Sequence, residues 1–125
     1  MDSDPQELVV LGNGKQEKSY LHVSDLIDAI QLCWPIKKDK FDVFNIGGID
    51  TITVARIAEI VLEETKAKQK IRYTGGERGW IGDVPKFNYN IQKMLSTGWR
   101  PKLSSEQAIY TTVRELIQNK TQITK

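Results

Sequence analysis

The sequence predicts an α+β fold, a small sheet packed with several helices, and three observations carry that reading. Two segments, Val54 to Leu62 and Ile109 to Ile117, repeat apolar residues at the spacing that builds one stripe along a helix. Short runs such as Leu8-Val9-Val10-Leu11 and Phe41-Asp42-Val43-Phe44-Asn45-Ile46 have the length and the apolar or alternating pattern of strands. The chain has 125 residues, 39% of them hydrophobic and 27% charged, enough for one core and hardly for two, so residues 1–125 read as a single domain. Nine Gly and four Pro rule out a fibrous or mainly disordered chain. The 18 Lys and Arg against 16 Asp and Glu leave +2, spread thinly, which demands neither nucleic acid nor an acidic membrane surface.

Leu8 to Leu11 is the opening strand, and Gly12-Asn13-Gly14 turns the chain because Gly and Asn accept positive φ. Ser19 to Val23 is the next strand. Ser24 is the expected N-cap of a helix with Asp25 and Asp28 in its first turn, an apolar face of Leu26, Ile27, Ile30 and Cys33-Trp34, and an end by Pro35. Phe41 to Ile46 alternates with period two and ends at Gly47-Gly48. Thr53 caps a second helix whose stripe is Val54, Ile57, Ala58, Val61 and Leu62, and Lys66, Lys68 and Lys70 form its solvated, dipole-favoured end. Ile71-Arg72-Tyr73 is a short strand. Thr74 to Asn90, holding Gly75, Gly76, Gly79, Gly82 and Pro85, is a long irregular loop of the kind that carries function or motion in compact domains. Asn90 caps a short helix over 91–97 that Gly98 closes, and Ser104 with Gln107 has capping-box spacing for a last helix faced by Ile109, Val113, Leu116 and Ile117. Residues 1–7 and 119–125 are expected to fray.

Chemistry-bearing residues are few. Cys33 has no second cysteine, and with His22 as the one histidine no common Cys/His zinc site forms, so a reducing, cytoplasmic setting is expected and Cys33 reads as a small buried hydrophobe. No apolar run approaches the roughly 20 residues of a membrane span, and Met1 to Pro5 lacks a signal-peptide core. No Ser-His-Asp set assembles around His22. Gly12-Asn13-Gly14 matches only the first half of a dinucleotide fingerprint, because Glu17 stands where the third glycine belongs and a strand follows instead of a helix. Tyr89-Asn90-Ile91-Gln92-Lys93 has Tyr-x-x-x-Lys spacing, yet Tyr89 precedes the cap Asn90 and no cofactor motif accompanies it. No catalytic residue, cofactor site or metal is therefore assigned to this chain. What remains suits phosphate: Lys18, Arg72, Arg78, Asn45 beside two glycines, and the loop from Gly75 to Asp83, where Arg binds anions bidentately and glycines let amides approach.

Taken in order, five segments resemble the C-terminal part of the NAD-dependent sugar-nucleotide epimerase/dehydratase family, the extended short-chain dehydrogenases that include UDP-glucose 4-epimerase. Leu8 to Gln16 resembles the family's apolar strand and glycine turn, and Lys18-Ser19-Tyr20-Leu21-His22-Val23-Ser24-Asp25 its next strand and Val-x-Asp helix start. Phe44-Asn45-Ile46-Gly47-Gly48 resembles its Asn-Ile-Gly segment, Arg78 to Pro85 its Arg-and-Gly-Asp loop, and Gly98-Trp99-Arg100-Pro101 its Gly-Trp-x-Pro corner. The resemblance spans Leu8 to Ile117.

It implies the substrate half of such an enzyme without the Rossmann half that holds NAD and the catalytic Tyr and Lys. By itself the chain is then inactive and binds no cofactor, whereas a complete family member holds NAD. The resemblance also places Asn90 and Lys93 on an Asp-x-x-Lys helix start, which removes the Tyr-x-x-x-Lys motif a second time. Carried over by position, Val9, Val10, Leu11 and Gly12 lie along the base, and Lys18, Asn45 and Arg78 reach the diphosphate of a nucleotide-diphosphate sugar, a UDP-sugar above all. Lys18 stands where the family has an Arg and so loses the bidentate fork, Leu11 replaces a frequent Tyr and removes its stacking, and Arg78 stands further before Gly82-Asp83 than in the commonest version. The implied partners are that nucleotide sugar, bound weakly, and a separate Rossmann half or a second copy of the chain. The rivals are a non-catalytic binding or assembly module that keeps this fold and a small RNA-binding domain, which rests on the basic balance and on Tyr73 and Trp80 without a motif behind them.

Overall fold

The computed structural model describes residues 6–35, 41–86 and 89–123, so the fraying expected at 1–5 and 124–125 and the segment Met1 to Pro5 lie outside the described residues. The elements are β1 (Glu7–Val10), β2 (Glu17–Lys18), α1 (Val23–Cys33), β3 (Ile52–Thr53), α2 (Val54–Thr65), β4 (Lys70–Tyr73), α3 (Gln92–Leu95) and α4 (Ser105–Ile123). The fold is mixed as expected, with its strand content in two small pieces. β1 runs parallel to β4, with Glu7 opposite Lys70 and Val10 opposite Tyr73. β2 runs antiparallel to β3, with Glu17 opposite Thr53.

Local signals set the helix ends. Thr53 accepts a hydrogen bond from Arg56 N at 3.2 Å and starts α2, which ends on Lys66 in the left-handed conformation. Ser104 and Gln107 bond reciprocally, at 3.2 Å from Gln107 N and 2.9 Å from Ser104 N, and start α4. That helix continues through Ile123, into the stretch 119–125 where fraying is expected. Arg56 joins α2 to α4, donating to Glu106 at 2.8 Å and to the Tyr110 hydroxyl at 3.0 Å.

Three expectations fail for physical reasons. Ser19 to Val23 is not a strand beyond Lys18, because the backbone of Tyr20 is taken by a side chain: its N–H donates to Ser105 Oγ, and that hydroxyl is 3.2 Å from its carbonyl. The first helix starts at Val23 and not after Ser24, because His22 Nδ1 accepts from the Ser24 N–H and makes His22 the cap. Asp25 is consequently more than a helix-start charge: it is buried and accepts from the backbone N–H groups of Lys102 and Leu103 at 3.1 and 3.2 Å. Phe41 to Ile46, finally, joins no ladder. Phe44 and Ile46 pack on the core cluster of Ala29, Met94 and Trp99, but Phe41 and Val43 are exposed, so the segment does not sort into a buried apolar face and an exposed polar one. What is missing among the described residues is a strand to pair with.

α1 meets the core through Ala29 and Cys33 and leaves another apolar face exposed. Leu26, Ile27, Ile30 and Trp34 repeat along one stripe and are all exposed, Trp34 by 79%. Cys33 is half-buried against the core, as a small hydrophobe should be.

Candidate functional site

The long loop is stapled to the β1 turn at one end and to β2 at the other. Thr74 N donates to Val10 O at 3.0 Å, Gly75 N to Gly12 O at 2.9 Å and Gly12 N to Thr74 Oγ1 at 2.8 Å. At the far end Glu17 N donates to Pro85 O at 2.9 Å, and Lys86 pairs with the Glu17 carboxylate at 3.0 Å. Between these anchors the loop backbone comes down onto Gly12. A Cβ on Gly12 would stand 2.2 Å from Gln16 Nε2 and 3.2 Å from the Arg78 carbonyl carbon, and the residue has φ +86°. Only glycine admits that approach at that φ.

Gln16 and Asp83 form the buried polar floor. Gln16 is 3% exposed and donates through Nε2 to Leu11 O at 3.1 Å, and its Oε1 is buried without a partner. Asp83 accepts from Lys18 Nζ at 2.5 Å and from Gly79 N at 3.0 Å. The hydrogen bond from Lys18, and after it the one from Gly79, holds the Asp83 carboxyl below the usual carboxylate range.

The residues expected at a nucleotide-sugar site are therefore distributed unevenly. Val10, Leu11 and Gly12 meet the loop at the end of β1, and Val9 lies opposite Arg72 of β4. Lys18 is beside them, but its ammonium is committed to Asp83. Arg78 is exposed, and its guanidinium makes no hydrogen bond or ion pair among the described residues. Arg72 is already paired with Glu7 at 2.7 Å across β1 and β4. Asn45 belongs to another place: its one hydrogen bond goes to Asn90 O at 3.4 Å, in a groove of about 290 Å³ lined also by Val43, Gln92 and Lys93. A cavity of about 510 Å³ adjoins it through Asn90 and Gln92 and is walled by Ile49, Tyr89 and Leu95.

Sequence reasoning met Gln16 and Asp83 only as members of the segments Leu8 to Gln16 and Arg78 to Pro85, not as buried polar groups. A polar residue two places after a glycine turn carries no signal of burial, and the pairing of Lys18 with Asp83 spans 65 positions.

The remaining chemistry is structural. Lys93 of the Tyr-x-x-x-Lys motif donates to Val43 O at 2.7 Å and to the Asp42 carboxylate, and lies over the Phe44 ring, so it holds segment 42–44 in place. His22 meets Ser24 Oγ at 2.8 Å and Glu115 at 3.1 Å, the contacts of a helix cap tied to α4. Among the described residues no group of three His, Cys, Asp or Glu could hold a metal, and no helix is long and apolar enough to cross a membrane. The Gly12 turn does not fit a dinucleotide. Gln16 fills the space over Gly12, the Tyr73 ring fills the space over Gly14, and the chain enters β2 without a helix N-terminus to face a pyrophosphate.

No protein-family model matches the chain. It is similar to a solved UDP-galactose 4-epimerase, with 31% identity and a TM-score of 0.77 over 93% of this chain and 37% of that one. A UDP-glucose 4-epimerase from Thermotoga maritima, solved with UDP-glucose, is 28% identical with a TM-score of 0.74 over 92% of this chain and 36% of that one. Among curated proteins, GDP-L-fucose synthase 1 of Arabidopsis thaliana is 28% identical over 118 residues, 91% of this chain and 34% of its own length. Other structures of the fold hold NAD. The chain spans about a third of the length of the curated relatives it matches first.

Proposed function

Starting from a similarity to NAD-dependent sugar-nucleotide epimerases and dehydratases that covers nine-tenths of this chain and about a third of theirs, we propose that the chain is the nucleotide-sugar-binding portion of such an enzyme. The observation that carries this is Arg78, an exposed guanidinium without a partner among the described residues, whose backbone carbonyl approaches Gly12 at the end of β1. Arg is suited to phosphate because its planar fork presents paired donors. The diphosphate lies against Arg78 and the loop amides, the base lies along Val9 to Leu11, and Lys18 contributes field from its pair with Asp83 without a free fork of its own. Asn45 serves the sugar end from its separate groove.

Hydride and proton transfer fall to residues outside this chain. NAD would supply the hydride chemistry, and the described residues do not fit it. The rest of the enzyme covers the α1 stripe with Phe41 and Val43: an apolar helix face followed by exposed apolar side chains is what packs against a larger partner surface.

Magnitudes set the affinity of the isolated chain. Each charge-assisted hydrogen bond contributes roughly 1.5–3 kcal/mol, against an association cost of about 4–15 kcal/mol. Binding of UDP or a UDP-sugar is then millimolar at best and weakens with salt. A nuclear magnetic resonance titration tests this. Shifts clustered at Val9 to Gly12, Gly79 and Arg78, lost in Arg78→Ala, are the expected result. Equal shifts with inorganic phosphate alone, or shifts elsewhere, would sink it, and tight NAD binding by calorimetry would overturn the division of labour.

A further inference from the structure

We propose that Trp80 is the stacking platform on which this site reads the planar base of a nucleoside diphosphate. The inference deepens the reading of Arg78 as the phosphate ligand and rests on it. Trp80 is 66% exposed, although an indole is among the side chains that gain most from burial. Its position is nonetheless built. The ring packs over Gly82, where a Cβ would stand 2.3 Å from Cζ3 and 2.7 Å from Cη2, so glycine there lets the indole lie against the backbone. Asp83 N donates to Trp80 O at 3.0 Å and closes the turn, and Asp83 is itself fixed by Lys18 and Gly79. The indole thus stands on an anchored turn with much of its surface open.

Its neighbours define the ligand. Arg78 stands two residues before it, exposed and unpaired, with only Gly79 between them. Leu11, 52% exposed at the end of β1, is aliphatic and presents no π face to a base. An unpaired fork and an exposed aromatic plane two positions apart on one anchored loop suit a molecule that is anionic at one end and planar at the other. Stacking on an aromatic side chain tolerates any base, so the platform adds affinity for the ring without selecting uracil over another.

The test uses the full chain in a Trp34→Phe background, which leaves Trp80 and the buried Trp99 as fluorophores. UDP should quench the exposed-indole emission and pyrophosphate should not. Trp80→Ala should weaken UDP binding roughly 5- to 150-fold, leave pyrophosphate binding unchanged, and be rescued in most part by Trp80→Phe. Arg78→Ala should weaken both ligands. If Trp80→Ala binds UDP like the parent while Arg78→Ala does not, the platform is wrong and the phosphate site stands. If neither substitution matters, the site reading fails and the platform fails with it. A Trp80→Ala effect confined to self-association in sedimentation, with UDP binding intact, would make Trp80 a protein contact and overturn the proposal.

Discussion

Gly12 and Gly75 share one backbone conformation and differ in their surroundings, so alanine at each separates two costs. Both have φ +86°. A Cβ on Gly75 would meet nothing within 4 Å. Gly75→Ala therefore carries only the conformational cost of about 1–2 kcal/mol, offset by about 0.4–1 kcal/mol from the stiffer unfolded chain. Gly12→Ala carries the same terms and drives its methyl group to 2.2 Å from Gln16 Nε2 and 3.0 Å from Gln16 Cδ. An exposed glutamine would swing away, but Gln16 is buried, and moving it breaks the bond to Leu11 O. Leaving buried amide and carbonyl groups unpaired costs about 1–3 kcal/mol. Urea unfolding at a common slope should place Gly12→Ala about 1–3 kcal/mol below Gly75→Ala. Because the Gly12 methyl also presses on the Arg78 carbonyl carbon, at 3.2 Å, Gly12→Ala alone should lose the UDP-induced shifts. Equal unfolding midpoints for the two variants would refute the account of Gly12 as the hinge of the site.

Thr53→Ala should cost about 1 kcal/mol by removing the acceptor for Arg56 N, and Thr53→Ser should restore it; the readout is the unfolding midpoint. Asp83 has its carboxyl pKa lowered by Lys18, so its contribution is complete above the unfolded value near 3.9 and is lost as pH falls through the folded value. Acid unfolding of Asp83→Asn should accordingly be flatter than that of the parent below about pH 4, while the two curves run parallel near neutrality. Ile30→Glu places a charge in the exposed α1 stripe, and should lower hydrophobic-dye binding and light scattering at high concentration with little change in unfolding midpoint.

Which features the sequence made legible follows from how far apart their causes lie. Caps and turns depend on residues within a few positions, and the Ser104–Gln107 box, the Thr53 cap and the left-handed Gly98 are where local chemistry puts them. His22 took the first helix cap from Ser24 because an imidazole nitrogen, like a hydroxyl, can accept a backbone N–H, an option the usual cap preferences rank low. Segment 41–46 reads as a strand from its composition yet forms none among the described residues, since a ladder needs a neighbour and the pattern alone does not supply one. The parallel pairing of β1 with β4 joins Val10 to Tyr73 across the whole of α1 and α2, and nothing local announces it.

The phosphate candidates show the same limit in its functional form. Sequence position supplied three cations, Lys18, Arg72 and Arg78, and charge alone ranks them equally. Folding brings carboxylates from 65 positions away to two of them, Asp83 to Lys18 and Glu7 to Arg72. A cation already satisfied by a carboxylate gains less from an arriving phosphate, because that anion must displace or share the existing partner. Arg78 has no such competitor among the described residues. The anion-binding capacity of this chain therefore rests with the one of the three cations that the fold leaves unpaired.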